Sequence, residues 1–214
     1  MESSNKSNSE ASPFRNLGGR EHYGNIDPVV AAFVYDFLQY KLNGYQLPVP
    51  ENVKEAVRRY SISKVGNALR SLADEFSSQF KEQFFEMCDQ LDVNEETLKV
   101  TIEGVANELF SDGIKWARIV AFFVFGSELA IHCRRRNWDN LINMIALSLS
   151  SYISEKLLPW INDHGGWEGL VVFNEGADPE QSSRNNRWPS VRNLLCLGIS
   201  AIGALTLGAV LTKS

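Results

Sequence analysis

Only three of the 214 residues are cysteine and three are histidine, and that scarcity removes whole classes of protein. Cys88, Cys133 and Cys196 lie far apart, are odd in number and contain no Cys-x-x-Cys pair. Neither a disulfide framework nor a zinc spacing follows from them, and a reducing, cytosol-facing setting fits best. His22, His132 and His164 are scattered, with no metal-ligand spacing. The Gly-x-Ser-x-Gly elbow, the phosphate-binding P-loop and His-Glu-x-x-His are absent. Asp163-His164 is a sequence neighbour pair in a turn, and neighbours rarely form a catalytic couple. Cys133 stands beside His132 and a basic run that would lower its pKa, yet no base is placed for it. The chain is therefore expected not to be an enzyme, to use no cofactor and to hold no metal. Positive charge is short as well: 21 Lys and Arg against 26 Asp and Glu leave a net charge of −5. Phosphate binding needs a basic surface, so nucleic acid is not the expected partner. The opening MESSNKSNSEASPFRNLGG has no apolar run and is not a signal peptide. There is no internal repeat and no convincing strand alternation.

What remains is helical. Apolar residues make up 44% of the chain, enough for one compact domain with tails. Residues 1–24 are polar and expected to be disordered. A helical domain is expected over 25–174, a polar linker over 175–190 and a transmembrane tail anchor over 191–214. The anchor reading rests on Leu194 to Thr212, LLCLGISAIGALTLGAVLT, which carries no charge and is just long enough to cross a hydrocarbon core. Within the domain, Asp27-Pro28 caps a helix whose apolar stripe runs through Val30, Phe33, Val34, Phe37, Leu38 and Leu42. A second helical region covers 52–76, and Phe80, Phe84 and Leu91 extend its apolar series past a bend. Asn94-Glu95-Glu96 starts a further helix and Ser111-Asp112-Gly113 breaks it. The stretch from Trp116 to Ile131, WARIVAFFVFGSELAI, is apolar almost all round. A surface helix would keep a polar face, so this one is expected at the centre of a bundle. The next stripe runs from Trp138 to Ile153, ahead of Pro159, and a short helix follows Gly165-Gly166. Trp160 and Trp167 are expected to pin that short helix on the bundle.

Four segments carry a resemblance. ELFSDGIKWARIVAFFVFGSELA (108–130), PWINDHGGWEGL (159–170), VGNALRSLADEF (65–76) and VYDFLQYKL (34–42) resemble the first to fourth homology motifs of the Bcl-2 family. They fall in the family's order and precede an apolar tail. The resemblance implies an all-α fold, a bundle around a buried central hydrophobic hairpin, plus a C-terminal anchor. It implies a pro-survival regulator of apoptosis that sequesters pro-apoptotic relatives, both Bax- or Bak-like proteins and killers that carry only the homology helix. A partner's amphipathic helix, with four apolar anchors and one Asp, would lie in a surface groove. Such a set of apolar side chains would expose a large trough when unoccupied. On the matching positions the groove takes Phe76, Phe80, Phe84, Val105, Glu108, Leu109, Ala117, Arg118, Ala121 and Phe125. Arg118 would grip the partner's Asp, or pair inside its own chain with Glu108 or Asp112. The chain's own homology helix would carry Val65, Leu69, Leu72 and Asp74. Two positions depart from the pattern. Lys115 replaces an asparagine, and Ala117 replaces a glycine that lets the partner helix come close. Leu72 is bulky where pro-survival members have a small residue, which leans toward the alternative of a Bax- or Bak-like pore former. The implied location is the mitochondrial outer membrane or the endoplasmic reticulum, single-pass and facing the cytosol, with a homo- or heterodimer compatible with the groove.

Overall fold

Helix α1 (Pro28–Gly44) begins where a cap and a proline meet. The Asp27 carboxylate accepts from the amides of Val29 (2.8 Å) and Val30 (3.0 Å), and Pro28, with no amide to satisfy, takes the first turn. The computed structural model describes residues 25–45, 64–176 and Trp188. The expected tail at 1–24, the helical start at 52–63, most of the linker and the anchor at 191–214 lie outside the described residues. Helix α2 (Lys64–Gln90) is one unbroken helix, so the expected bend after Phe76 does not divide it. Before α3 (Leu98–Leu109), the Asn94 side chain accepts from the amides of Glu96 (2.9 Å) and Thr97 (3.0 Å), capping the turn that feeds the helix.

The centre is α4 (Trp116–Arg135). Every residue from Trp116 to Cys133 is buried except Arg118. Among the described residues α4 is the one helix long and apolar enough to cross a membrane, and 94% of its apolar window lies inside the bundle. Its missing polar face is thus explained by packing. Phe123 meets Phe37 of α1 at 5.6 Å, while Phe122 meets Phe110 at 5.8 Å and Tyr152 at 5.4 Å, contacts worth ~0.5–1.5 kcal/mol each beyond area burial. Asn137, at φ 60°, turns the chain into α5 (Asp139–Tyr152), which returns against α4. A π-helical turn (Ile153–Leu157) then leads into α6 (Leu158–Asp163). Pro159 accounts for that wider turn, because it offers no amide and its ring crowds the carbonyl four residues back. Gly165 (φ 86°) and Gly166 (φ 63°) reverse the chain into α7 (Glu168–Asn174). Trp116 packs against Trp160 at 5.4 Å and Trp167 at 6.3 Å, tying this end to the start of α4. The described residues contain no strand.

Two glycines mark the closest approaches. A Cβ on Gly126 would run into the Leu149 methyls of α5, and one on Gly169 would meet the His164 carbonyl and the Trp116 ring. Gly126→Ala and Gly169→Ala are each expected to cost ~1–3 kcal/mol by overpacking. Gly169→Ala should cost more, since a backbone carbonyl cannot rotate away as a leucine side chain can. Denaturant unfolding of the two variants checks the ranking, and equal stability to the parent chain would refute it.

Candidate helix-binding groove

Helices α2 and α3 both pack on α4 yet scarcely meet each other: α2 runs along α4 and α7, and α3 leans on α5 and α4. The strip of α4 between them is located by its neighbours. At ~100° per residue, Ala117, Ala121 and Phe125 fall in one row with Glu128 and His132. His132 lies 3.7 Å from Asp89 of α2, and Glu128 feels Lys81 of α2 and Lys41 of α1. That row therefore faces α2. Phe122, about a quarter-turn away, faces Phe110 and Tyr152. Ala117, Ala121, Phe125 and, on the α3 side, Arg118 form the floor.

The α2 wall carries Phe76, whose ring meets Phe80 at 4.9 Å and Phe84 at 5.7 Å. The α3 wall carries buried Val105 and Leu109 and half-buried Glu108. Thr101 and Gly104 share the Glu108 side of α3 by helical spacing and are half-buried too. A Cβ on Gly104 would meet nothing within 4 Å. Those two positions were not anticipated, although their spacing from Glu108 is the signal that would have found them.

Most of the side chains expected along the groove are out of solvent in the folded chain. Phe76, Phe84, Val105, Leu109, Ala117, Ala121 and Phe125 are all buried, and Phe80, Glu108 and Arg118 are the half-exposed members. Together they make an apolar seam along α4 between the two walls. At its α7 end the chain adds an unanticipated lid residue: the Trp188 ring sits 5.1 Å from Phe76 and 6.4 Å from Phe173, and its indole N–H donates to Glu75 at 3.1 Å. A lone tryptophan in a polar linker was the available signal. Arg118 donates through Nη1 to the Gly113 carbonyl at 2.7 Å and pairs through Nη2 with Asp112 at 3.2 Å. Of the two intrachain partners considered, Asp112 is the one it meets. Lys115 is exposed at the start of α4, where its carbonyl accepts from the Arg118 and Ile119 amides at 3.0 Å.

The homology helix at the start of α2 is folded in. Val65, Leu69 and Leu72 are buried, whereas Asp74 is exposed, takes the Tyr40 hydroxyl proton in a hydrogen bond and lies 3.7 Å from Lys41 Nζ. Arg70 grips both Asp36 oxygens at 2.7 and 2.8 Å and covers the Tyr40 ring at 4.9 Å. Burial raises the Asp36 carboxyl above its ordinary range against the pull of Arg70. Cys133 is no activated thiol: burial pushes it up to about 12, outweighing Arg136. His164 bonds the Trp160 carbonyl at 2.8 Å and does not pair with Asp163. Among the described residues no cluster of metal-ligating side chains forms.

The architecture defines an α-helical bundle built on a buried hairpin, with an apolar seam and one arginine at its floor. Residues 69–167 match the family model described as apoptosis regulator proteins, Bcl-2 family. Bcl-2-like protein 1 of Homo sapiens is 33% identical over 156 residues, covering 71% of this chain and 64% of that protein, so the chain spans less than two thirds of that relative's length. Bcl-2-like protein 1 of Gallus gallus is 34% identical over 165 residues, with 75% and 68% covered. Apoptosis regulator R1 of Xenopus laevis is 34% identical over 183 residues, with 84% and 77% covered. A solved structure, Trichoplax adhaerens trBcl-2L2 bound to trBak BH3, is similar at a TM-score of 0.58 and 32% identity, covering 71% of this chain and 99% of that one. The chain belongs to the Bcl-2 family.

Two buried groups under the α2 wall set opposite pH limbs. Burial raises Glu128 despite Lys41, Lys81 and Arg135, and burial with Arg136 lowers His132. A raised carboxyl favours the fold fully below its ordinary value of 4.5, and that contribution is lost as pH rises through the raised value. The lowered His132 favours the fold above its ordinary 6.5, and its contribution is lost as pH falls through the lowered value. Glu128→Gln is expected to raise thermal stability near pH 8, with the gain closing toward about pH 4. A variant less stable than the parent at alkaline pH would contradict the burial argument.

Proposed function

We propose that this chain is a pro-survival regulator of apoptosis that sequesters pro-apoptotic relatives by holding their amphipathic homology helix between α2 and α3. The observation that carries the reading is Arg118, a cation at the floor of an otherwise apolar seam. An apolar seam alone would accept any greasy helix, whereas a guanidinium there selects one with a carboxylate among its anchors. Because α2 and α3 scarcely meet, parting them breaks few contacts. The partner's apolar anchors then pack on the α4 floor and on the facing sides of the two walls, and an anchor reaching Phe76 takes the place Trp188 fills. The buried Ala117 methyl sits where the family glycine would let a partner come closer, which narrows the set of helices that fit. Support comes also from the relatives, one of which has been solved with the homology helix of trBak bound.

The pore-forming alternative requires the chain's own homology helix to leave the bundle. Here its anchors Val65, Leu69 and Leu72 are buried and its polar side is tied to α1 through Arg70 and Asp74. That favours a helix that stays and builds the groove wall. We assign residues 191–214 the role of a single-pass anchor in the mitochondrial outer membrane or endoplasmic reticulum, on their uncharged apolar run.

The test is a titration of the chain with homology-helix peptides from Bak- and Bax-like proteins, run beside a liposome dye-release assay. Tight binding without release, together with suppression of a Bak-like pore, is expected. Peptide-triggered release by this chain itself would replace the reading with the pore former. Arg118→Ala should weaken binding by ~2–5 kcal/mol, since it strands the partner's carboxylate in a buried site. An unchanged affinity would remove Arg118 from the mechanism. Deleting residues 191–214 should shift the protein from membrane to soluble fractions on cell fractionation, and continued membrane retention would place the anchor elsewhere.

A further inference from the structure

The two partners of Arg118 differ in kind. The Gly113 carbonyl is the closer, at 2.7 Å. It is neutral and belongs to a turn set by the Gly113 backbone at φ 101° and by the bond from the Gly113 amide to the Phe110 carbonyl at 3.0 Å. It cannot swing away without unmaking the turn. The Asp112 carboxylate is farther, at 3.2 Å, and charged, and its side chain is 84% exposed against 17% for Arg118. Among the described residues Arg118 is the one cation it pairs with. One partner therefore orients the guanidinium, and the other occupies its second nitrogen from the solvent side.

We propose that Asp112 is a built-in competitor for the partner's carboxylate on Arg118, and that it sets how strongly the groove prefers an acidic helix over a neutral one. The inference rests on the helix-binding reading above and adds a specificity-determining residue to it. An exposed ion pair is weak, because water solvates both charges well. A carboxylate delivered on a helix into the seam meets the same guanidinium in a drier place, where the pair is stronger. The exchange of Asp112 for the incoming carboxylate thus runs downhill, while the Gly113 carbonyl keeps Arg118 aimed throughout. A helix carrying an amide at that position gains nothing by displacing Asp112 and leaves the internal pair in place. Asp112 consequently taxes acidic helices alone and narrows the gap between the two kinds.

The experiment uses the full-length chain in detergent micelles. Its probes are the homology-helix peptide of a Bak-like protein and the same peptide with its aspartate replaced by asparagine. Asp112→Asn is expected to tighten binding of the acidic peptide roughly two- to fivefold, the size of an exposed ion pair, and to leave the amide peptide within error of the parent chain. Asp112→Glu, which keeps the charge, should stay near the parent. In an Arg118→Ala background the gain from Asp112→Asn should vanish. Weaker or unchanged binding of the acidic peptide would overturn the proposal, since Asp112 would then be holding Arg118 in place or doing nothing. Equal tightening of both peptides would overturn it too, as a general charge effect. If neither peptide binds the parent chain, the groove reading falls and this inference with it.

Discussion

A helix of twenty residues with almost no polar face cannot meet water on any side, and the rest of the bundle is arranged to satisfy that constraint on α4. Each neighbour takes a sector. α1 supplies Phe37 to Phe123, α5 supplies Leu149 against Gly126, α6 and the turn after it supply Trp160 and Trp167 around Trp116, and α2 covers the row ending in Glu128 and His132. Burial at this scale is the dominant favourable term in folding. The sector between α2 and α3 is the exception: two walls lean on α4 without leaning on each other.

Polar groups at the edges of α4 then decide what each edge does. Glu128 is buried near the end of α4, where lysines from α1 and α2 offset part of the cost of burying it. Arg118, in the first turn at the opposite end, is held by a turn carbonyl and a solvent-facing carboxylate. A charge is costly in an apolar setting unless paired, so both sites are provided with opposite charge from the chain itself. The difference is exposure. The Glu128 surroundings are closed, whereas the Asp112 side of the Arg118 pair reaches water.

The far side of α2 follows a different logic. Its contacts with α1 include polar bonds, with Arg70 Nη2 between both Asp36 oxygens and Tyr40 and Lys41 around Asp74. Directional bonds of this sort fix register in a way that apolar packing does not. The start of α2 is therefore fastened to α1 by directional bonds on one side and packed on α4 on the other.

Local physics was legible from the residues alone. Asp27-Pro28, Asn94 and Gly113 mark element ends because capping and backbone freedom are properties of one or two residues. The burial of α4 was legible because a missing polar face has one physical solution. The apolar stripes of α2 and α3 were legible too, since a period of 3.6 says which side chains share a face. That period does not say what the face meets. Phe76, Phe84 and Leu109 read alike whether they are exposed or buried, and only the tertiary structure shows them buried. The raised Cys133 thiol was likewise hidden, because the basic neighbours are visible in sequence and the burial that outweighs them is not. Trp188 on Phe76, 112 positions away in the chain, and the pairing of Arg118 with Asp112 in preference to Glu108 were decided by tertiary structure. Periodicity determines which side chains must leave water, while the arrangement of neighbouring helices determines which partner each one finds there.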